Sequence, residues 1–241
     1  EHTMNDLIEQ FRQAIAAAGL IPPTEIIDDG VIHRFSTSGK PTHKNGWYML
    51  HTDGIAAGAF GDWREGFTQN WCSKADTSMT EAERFAHRER VKAMQRQRED
   101  DLAQRQQLAA ADALKRWTAA TPCTQHDYLT RKGIRPHGAK TEYDKLLIPM
   151  RDTAGTVHSL QTIAPDGTKM FMSGGKVKGC YFGIGKPKGA LIVCEGFATG
   201  ASIHECTGHA VAVAFNAGNL EAVARALRIK YPALKIIIAA D

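Results

Sequence analysis

The sequence predicts two fold classes in one chain: an α+β module on the N-terminal side and an α/β core with a parallel sheet on the C-terminal side, joined by a long helix. Three observations carry this. Short β-like runs separated by turn residues fill Val31 to Trp71. The stretch from Thr80 to about Trp117 holds no Gly or Pro and is rich in Ala, Gln, Arg, Glu and Lys, a helix-forming composition. From Ala190 onward, apolar runs alternate with helical patterns. That βαβαβ order builds a parallel sheet with right-handed crossovers.

Residues Met4 to Gly19 place Leu7, Ile8, Phe11, Ile15 and Ala18 at helical spacing, and Pro22-Pro23 ends the pattern. The runs Val31–Phe35, Gly46–His51 and Ile55–Phe60 follow, with Asp53-Gly54 as a two-residue hairpin signal and Phe60–Gly66 as a turn. Thr80-Glu-Ala-Glu83 is a capping box that opens the long helix. Apolar residues are sparse along it, so it reads as a solvated linker or as a basic helix along nucleic acid. Its interspersed acids favour the linker. Cys123 to Gly133 reads as a short helix and turn. Leu146–Met150, Val157–Ile163 and Lys169–Met172 read as strands joined by turns at Asp152–Gly155 and Pro165–Gly167. Strands at Leu191–Cys194, Ala210–Phe215 and Lys235–Ala240 complete the core, with Gly208 ending one intervening helix and Pro232 following the other. The expected division is a β-rich module over 1–75, a helical linker over 76–120, a basic part of the core over 121–189, and the parallel-sheet domain over 190–241.

Composition excludes some classes. Of 241 residues, 43% are hydrophobic and 23% charged, as in an ordinary globular chain, and the net charge of +4 permits a nucleic-acid partner without requiring one. No run of eighteen apolar residues exists, so no membrane span is expected, and the N-terminus does not read as a signal peptide. Glu1 to Thr3, ahead of Met4, read as a cloning remnant. The five cysteines are scattered with no C-x-x-C pair, as expected of small buried hydrophobes in a reducing, cytoplasmic compartment.

The chemistry gathers at three strand ends. Leu191–Cys194 runs into Glu195-Gly196, and Lys235–Ala240 ends on Asp241. Parallel strands bring such ends to the edge where open α/β sheets place ligands, and two carboxylates there suit a hard divalent cation and phosphate chemistry. Ala210–Phe215 ends in Asn216-Ala-Gly-Asn219, a third polar loop on that edge, with Asn219 a candidate N-cap for the next helix. The alternative for Glu195 is a helix-capping or surface acid. Arg151, Lys169, Lys176 and Lys178 precede this edge as solvated charges or as ligands for phosphate.

These residues carry a resemblance. Leu146 to Asp241 resembles the catalytic core of Toprim primases, a Rossmann-like fold. Lys145–Gly155 is similar to the motif that opens the core of the bacterial replicative primase, and Thr168–Ser173 to its lysine-aromatic-serine segment. Lys178–Gly183 is similar to its lysine-to-tyrosine-glycine turn. Glu195–Gly200 is similar to the Toprim acidic motif of phage and plasmid primases. Tyr128–Gly133 and Gly174–Gly179 look most like the satellite-phage primase-helicase group. Order and spacing agree over roughly 120 residues.

The resemblance implies primer synthesis from NTPs on a single-stranded DNA template, with Mg²⁺ or Mn²⁺ held at Glu195 and Asp241. Glu195 would act at the metal site or as an acid–base group beside it, and Asp241 would be the first aspartate of a D-x-D motif. Arg151, Lys169, Lys176, Lys178, Asn216 and Asn219 would contact nucleotide or template. A replicative helicase, fused or separate, would be a partner. The chain reaches only the first aspartate of that motif, so it is expected to be incomplete there, and weak or inactive by itself. A non-catalytic template- or origin-binding fragment and another Toprim enzyme, such as a nuclease, stay open.

A zinc ribbon normally begins such primases. Here His33, His43, His51 and Cys72 follow no zinc spacing, so zinc is not expected. Lys44, Trp47, Tyr48, Trp63 and Arg64 mix cations with aromatics. That composition fits a surface for stacking single-stranded DNA, and equally a small domain's core and rim.

Overall fold

A computed structural model describes residues 4–39, 44–74 and 78–239. The chain forms two compact units, one up to Asp101 and one from Leu102.

The first unit is an antiparallel meander with helices. Helix α1 (Met4–Ala17) buries Phe11 and Ile15. Strands β1 (His33–Phe35), β2 (Gly46–His51), β3 (Ala57–Asp62) and β4 (Phe67–Cys72) pair in chain order. The α1 stripe meets Phe35, Tyr48, Leu50 and Phe60, with the Phe11 and Phe60 rings edge-to-face at 5.7 Å. Helix α2 (Glu81–Ala119) begins with the expected capping box: Glu83 N–H donates to Thr80 Oγ1 at 3.2 Å and Thr80 N–H to Glu83 Oε2 at 2.7 Å. Its early turns bury Met94 against Met49 and Ala57. The expected two-residue hairpin at Asp53-Gly54 is instead a longer loop, Thr52 to Ala56. Arg90 of α2 donates to the carbonyls of Asp53 and Ile55 and pairs with Asp53 Oδ2 at 2.8 Å, taking groups a tight hairpin would use.

The second unit contains two sheets. Strands β5 (Thr121–Pro122), β6 (Lys140–Glu142), β7 (Lys145–Arg151), β8 (Val157–Ile163) and β9 (Lys169–Phe171) form an antiparallel sheet in that order, with α3 (Asp127–Lys132) between β5 and β6. One face packs Leu147 and Leu160 on Ala113 and Trp117 of α2. The other contributes Leu146, Ile148, Met150 and Ile163 to the main core. The β6–β7 turn is Tyr143-Asp144, where Tyr143 holds φ 56° with its side chain in solvent.

The second sheet has the order β10-β12-β11-β13, from β10 (Phe182–Ile184), β11 (Ala190–Cys194), β12 (Ala210–Val213) and β13 (Lys235–Ala239). β11 pairs parallel with β12 and β13, as the alternation requires. β10 runs antiparallel to β12. The resemblance implied a lysine-to-tyrosine-glycine turn over Lys178–Gly183, and β10 takes up its last two residues and Ile184. Helix α4 (Phe197–Thr207) faces the main core through Phe197 and Ala201, and α5 (Leu220–Lys230) covers the opposite face through Val223 and Leu227. Gly200 lets α4 lie flush on the sheet: a Cβ there would come within 2.8 Å of Val213 and 3.1 Å of Cys194 Sγ. Three of the five cysteines, Cys123, Cys180 and Cys194, are buried.

Candidate active site

The carboxyl edge of the parallel sheet is a set of locked strand ends. β11 stops at Cys194, Glu195-Gly196 makes the turn, and α4 starts at Phe197. β12 stays in step beyond its last ladder residue: Ala214 N–H donates to the Cys194 carbonyl and Phe215 N–H to the Glu195 carbonyl, both at 2.8 Å. Phe215 holds a left-handed φ of 75°, unusual for an aromatic residue. The Glu195 side chain is half-buried, and among the described residues no cation lies within ion-pair distance of it. β13 pairs Ala239 with Cys194. Asp241 lies outside the described residues.

The neighbouring sheet brings a lysine to this turn. A Cβ on Gly196 would stand 3.9 Å from the Lys169 ammonium, so the β9 lysine sits beside the residue after Glu195. Two residues on, the Phe171 ring meets that of Phe215 edge-to-face at 6.4 Å. β9 and the end of β12 therefore touch through one aromatic pair, which seats Lys169 at the edge.

Asn219 departs from expectation. Read as an N-cap and nucleotide contact, it is 3% exposed, and its side chain caps nothing in α5. Its Oδ1 accepts from Gly179 N–H at 2.8 Å. Its Nδ2 donates to the carbonyls of Val177, Cys180 and Ala214 at 3.1, 3.0 and 2.8 Å. These bonds hold the loop that carries Lys176, half-buried, and Lys178, exposed. The sequence showed Asn219 in a polar loop, but three of its four partners lie about forty positions earlier in the chain, where no local pattern points to them. Asn216 is half-buried at the start of the 3-10 turn Ala217–Asn219.

Arg151 is held elsewhere. Its guanidinium stands 5.6 Å from the centre of the Trp117 ring and donates to the Gly155 carbonyl at 3.3 Å. A further link ties α4 to the loop after α3: Glu205 accepts from Arg135 N–H at 2.8 Å and pairs with His137 at 2.5 Å. The Arg135 amide first, then His137, holds the Glu205 carboxyl below its ordinary pKa.

In the first unit the aromatic residues are consumed internally. Trp47 and Tyr48 are 1% and 3% exposed. The Trp47 and Trp63 rings lie 5.4 Å apart, with Arg34 over Trp63 and Arg98 over Trp47, each at 5.5 Å. Each ring of this tilted pair thus carries a cation of its own. Tyr48 accepts from Ile27 N–H at 3.0 Å, and burial raises its hydroxyl pKa. Of the two readings left open, Trp47 and Tyr48 take the core one, because closed, buried rings offer no face to a base. Lys44 and Arg64 are exposed and Trp63 is half-buried. Of the four groups weighed for zinc, His33 pairs with Asp29 at 2.8 Å, His51 stands 3.8 Å from Asp53, Cys72 is half-buried and His43 lies outside the described residues. Among the described residues no three His, Cys, Asp or Glu side chains cluster as a metal site, and Asp241 is not one of those residues.

Among the described residues, the carboxylate donor at the edge suits a hard divalent cation. Residues 190–241 match the family model of the Toprim domain. The chain is 34% identical over 251 aligned residues to a DNA primase TraC of Escherichia coli, covering 97% of this chain and 23% of that protein. A second DNA primase TraC of Escherichia coli is 36% identical over 250 residues, covering 97% of this chain and 17% of that protein. No solved structure matches. The chain therefore spans less than a quarter of the length of either relative. Within that span, the parallel sheet with Glu195 at its edge agrees with the Toprim-domain match over residues 190–241, and nearly the whole chain is similar to part of these two plasmid-type DNA primases.

Proposed function

We propose that this chain carries the nucleotide-joining site of a primase that makes short primers from nucleoside triphosphates on single-stranded DNA, in plasmid or phage replication. The observation that carries the reading is the Lys169 ammonium beside the Glu195-Gly196 turn, which puts one cation and one unpaired carboxylate at the ligand edge of a parallel sheet.

In the reaction, the primer 3′-hydroxyl oxygen attacks the α-phosphorus of the incoming nucleotide, a new P–O bond forms, and the bond to pyrophosphate breaks. Glu195 and Asp241 would hold the Mg²⁺ or Mn²⁺. When bound, that ion supplies Lewis-acid polarisation and neutralises phosphate charge. The chain's own residues do the rest. The Glu195 carboxylate oxygens receive the hydroxyl proton or orient the group that does. Lys169, Lys176 and Lys178 attract the phosphates, and a lysine–phosphate contact near 4 Å is worth on the order of 4 kcal/mol at a protein surface before desolvation. Asn216 would meet the sugar or base. Arg151, stacked on Trp117, contributes to the template side, and exposed Arg64 and Lys44, with Trp63, are the first unit's candidates for contact with the strand. A helicase, fused or separate, would supply the template. Among the described residues no helix is long and apolar enough to cross a membrane, and a cytoplasmic setting suits this reaction.

Glu195→Gln tests the reading. Primer synthesis should fall by about 100-fold or more, with binding to single-stranded DNA unchanged. Full synthesis by the variant would remove Glu195 from the site, whereas no synthesis by the parent protein with DNA binding kept would leave a template-binding role as the better account. Release of cleaved DNA in place of primers would point to a nuclease.

A further inference from the structure

We infer that Asn219 is a positioning residue: it fixes the Lys176–Lys178 loop at the Glu195 edge, so that the loop presents its lysines to the polyphosphate of a nucleotide. The inference rests on the function proposed above for those lysines, and it replaces direct nucleotide contact by Asn219.

Four hydrogen bonds define the arrangement. One Oδ1 acceptor meets Gly179 N–H, and two Nδ2 hydrogens are shared among the carbonyls of Val177, Cys180 and Ala214. Three carbonyls around one side of the amide and an N–H on the other fix its orientation without ambiguity. Three of the four bonds go to the lysine loop. The fourth goes to Ala214, whose own N–H donates to the Cys194 carbonyl, and Phe215 N–H donates to the Glu195 carbonyl. Asn219 thus ties the lysine backbone to the strand end that is bonded to Glu195.

The loop's other end is fixed differently. A Cβ on Gly175 would stand 2.1 Å from Ser159 Oγ, so the loop lies directly on β8 there and only glycine fits. Between these two anchors, Lys176 and Lys178 have a defined origin, while their side chains stay free to follow a phosphate. Without the Asn219 clamp, ordering the loop would be charged to each binding event. Asn219 itself is too buried to reach a nucleotide.

Asn219→Ser shortens the side chain and removes the amide donors, while Asn219→Asp keeps the shape but turns a carboxylate toward three carbonyls. Hydrogen exchange at the Gly179 and Cys180 amides, and calorimetric binding of ATP with magnesium, would be measured in N219S, in K176A/K178A and in the triple variant. The expected result is exchange at least tenfold faster at Gly179 in N219S, ATP binding about tenfold weaker, and no further loss of binding when N219S is added to K176A/K178A. Unchanged Gly179 exchange would overturn the inference. So would losses that multiply in the triple variant, since Asn219 would then act other than through the lysines. Should N219D fail to fold, the exchange readout in N219S still decides. Absence of primer synthesis with the coupling intact would sink the primase reading and leave the positioning role standing.

Discussion

The aromatic stack of the first unit and the carboxyl edge of the parallel sheet in the second are built from similar ingredients, cations beside groups that attract them. They differ in how those ingredients are used. In the aromatic pair, Arg34 lies over Trp63 and Arg98 over Trp47, and Trp47 is buried. At the edge, Glu195 has no cation within ion-pair distance among the described residues, although Lys169 stands beside the next residue. Groups satisfied by one another stabilise a fold. Groups placed close together yet left unpaired are available to a ligand.

The largest effect that would test this contrast is Trp47→Ala. Emptying a buried, doubly stacked site should destabilise the first unit by about 3–5 kcal/mol in denaturant unfolding. A loss near zero would mean the stack is a surface after all. Lys169→Ala should do the reverse: unfolding within about 0.5 kcal/mol of the parent, as for surface changes generally, with nucleotide binding about 10- to 100-fold weaker, as loss of one phosphate contact implies. A stability loss without a binding loss would move Lys169 to the structural side of the comparison.

Tyr143→Gly sharpens the contrast at a smaller scale. Tyr143 holds φ 56° in a two-residue turn and is almost fully exposed, so its backbone strain is not offset by packing. Glycine there should stabilise the second unit by about 0.5–1 kcal/mol, read from a higher unfolding midpoint. The smallest effect is pH-dependent. Because the Arg135 amide and His137 depress the Glu205 carboxyl, its link contributes stability above the ordinary carboxylate pKa and loses it as pH falls through the depressed value. The difference in unfolding midpoint between the parent and Glu205→Gln should therefore be greatest near neutral pH and vanish in acid, never exceeding about 1 kcal/mol.

Legibility in the sequence followed the range of the interaction. The capping box at Thr80 and Glu83 lies within four residues, so its letters predict its hydrogen bonds. The parallel strands were legible because apolar runs and helix stops repeat along the chain. β10 was not, since an antiparallel strand of three residues depends on β12 for its existence. The long loop at Asp53 depends on Arg90, thirty-seven positions later. At the candidate site, Glu195 was legible as a strand-end acid beside glycine. Lys169 was legible as a charge before the edge, though its place beside Gly196 was not. Asn219 was legible as a polar loop residue, while its task was hidden in backbone groups of Val177, Gly179 and Cys180, which no side-chain pattern advertises.

The stacking of Arg151 on Trp117 has an optical consequence. The chain has four tryptophans, and Trp47, Trp63 and Trp71 all fall in the first unit. Trp117 is the second unit's sole indole, with the Arg151 and Lys140 cations over its ring. Replacing the other three by phenylalanine would leave a native fluorophore whose emission reports when Arg151 leaves its resting place, such as on meeting a DNA strand, without any attached label.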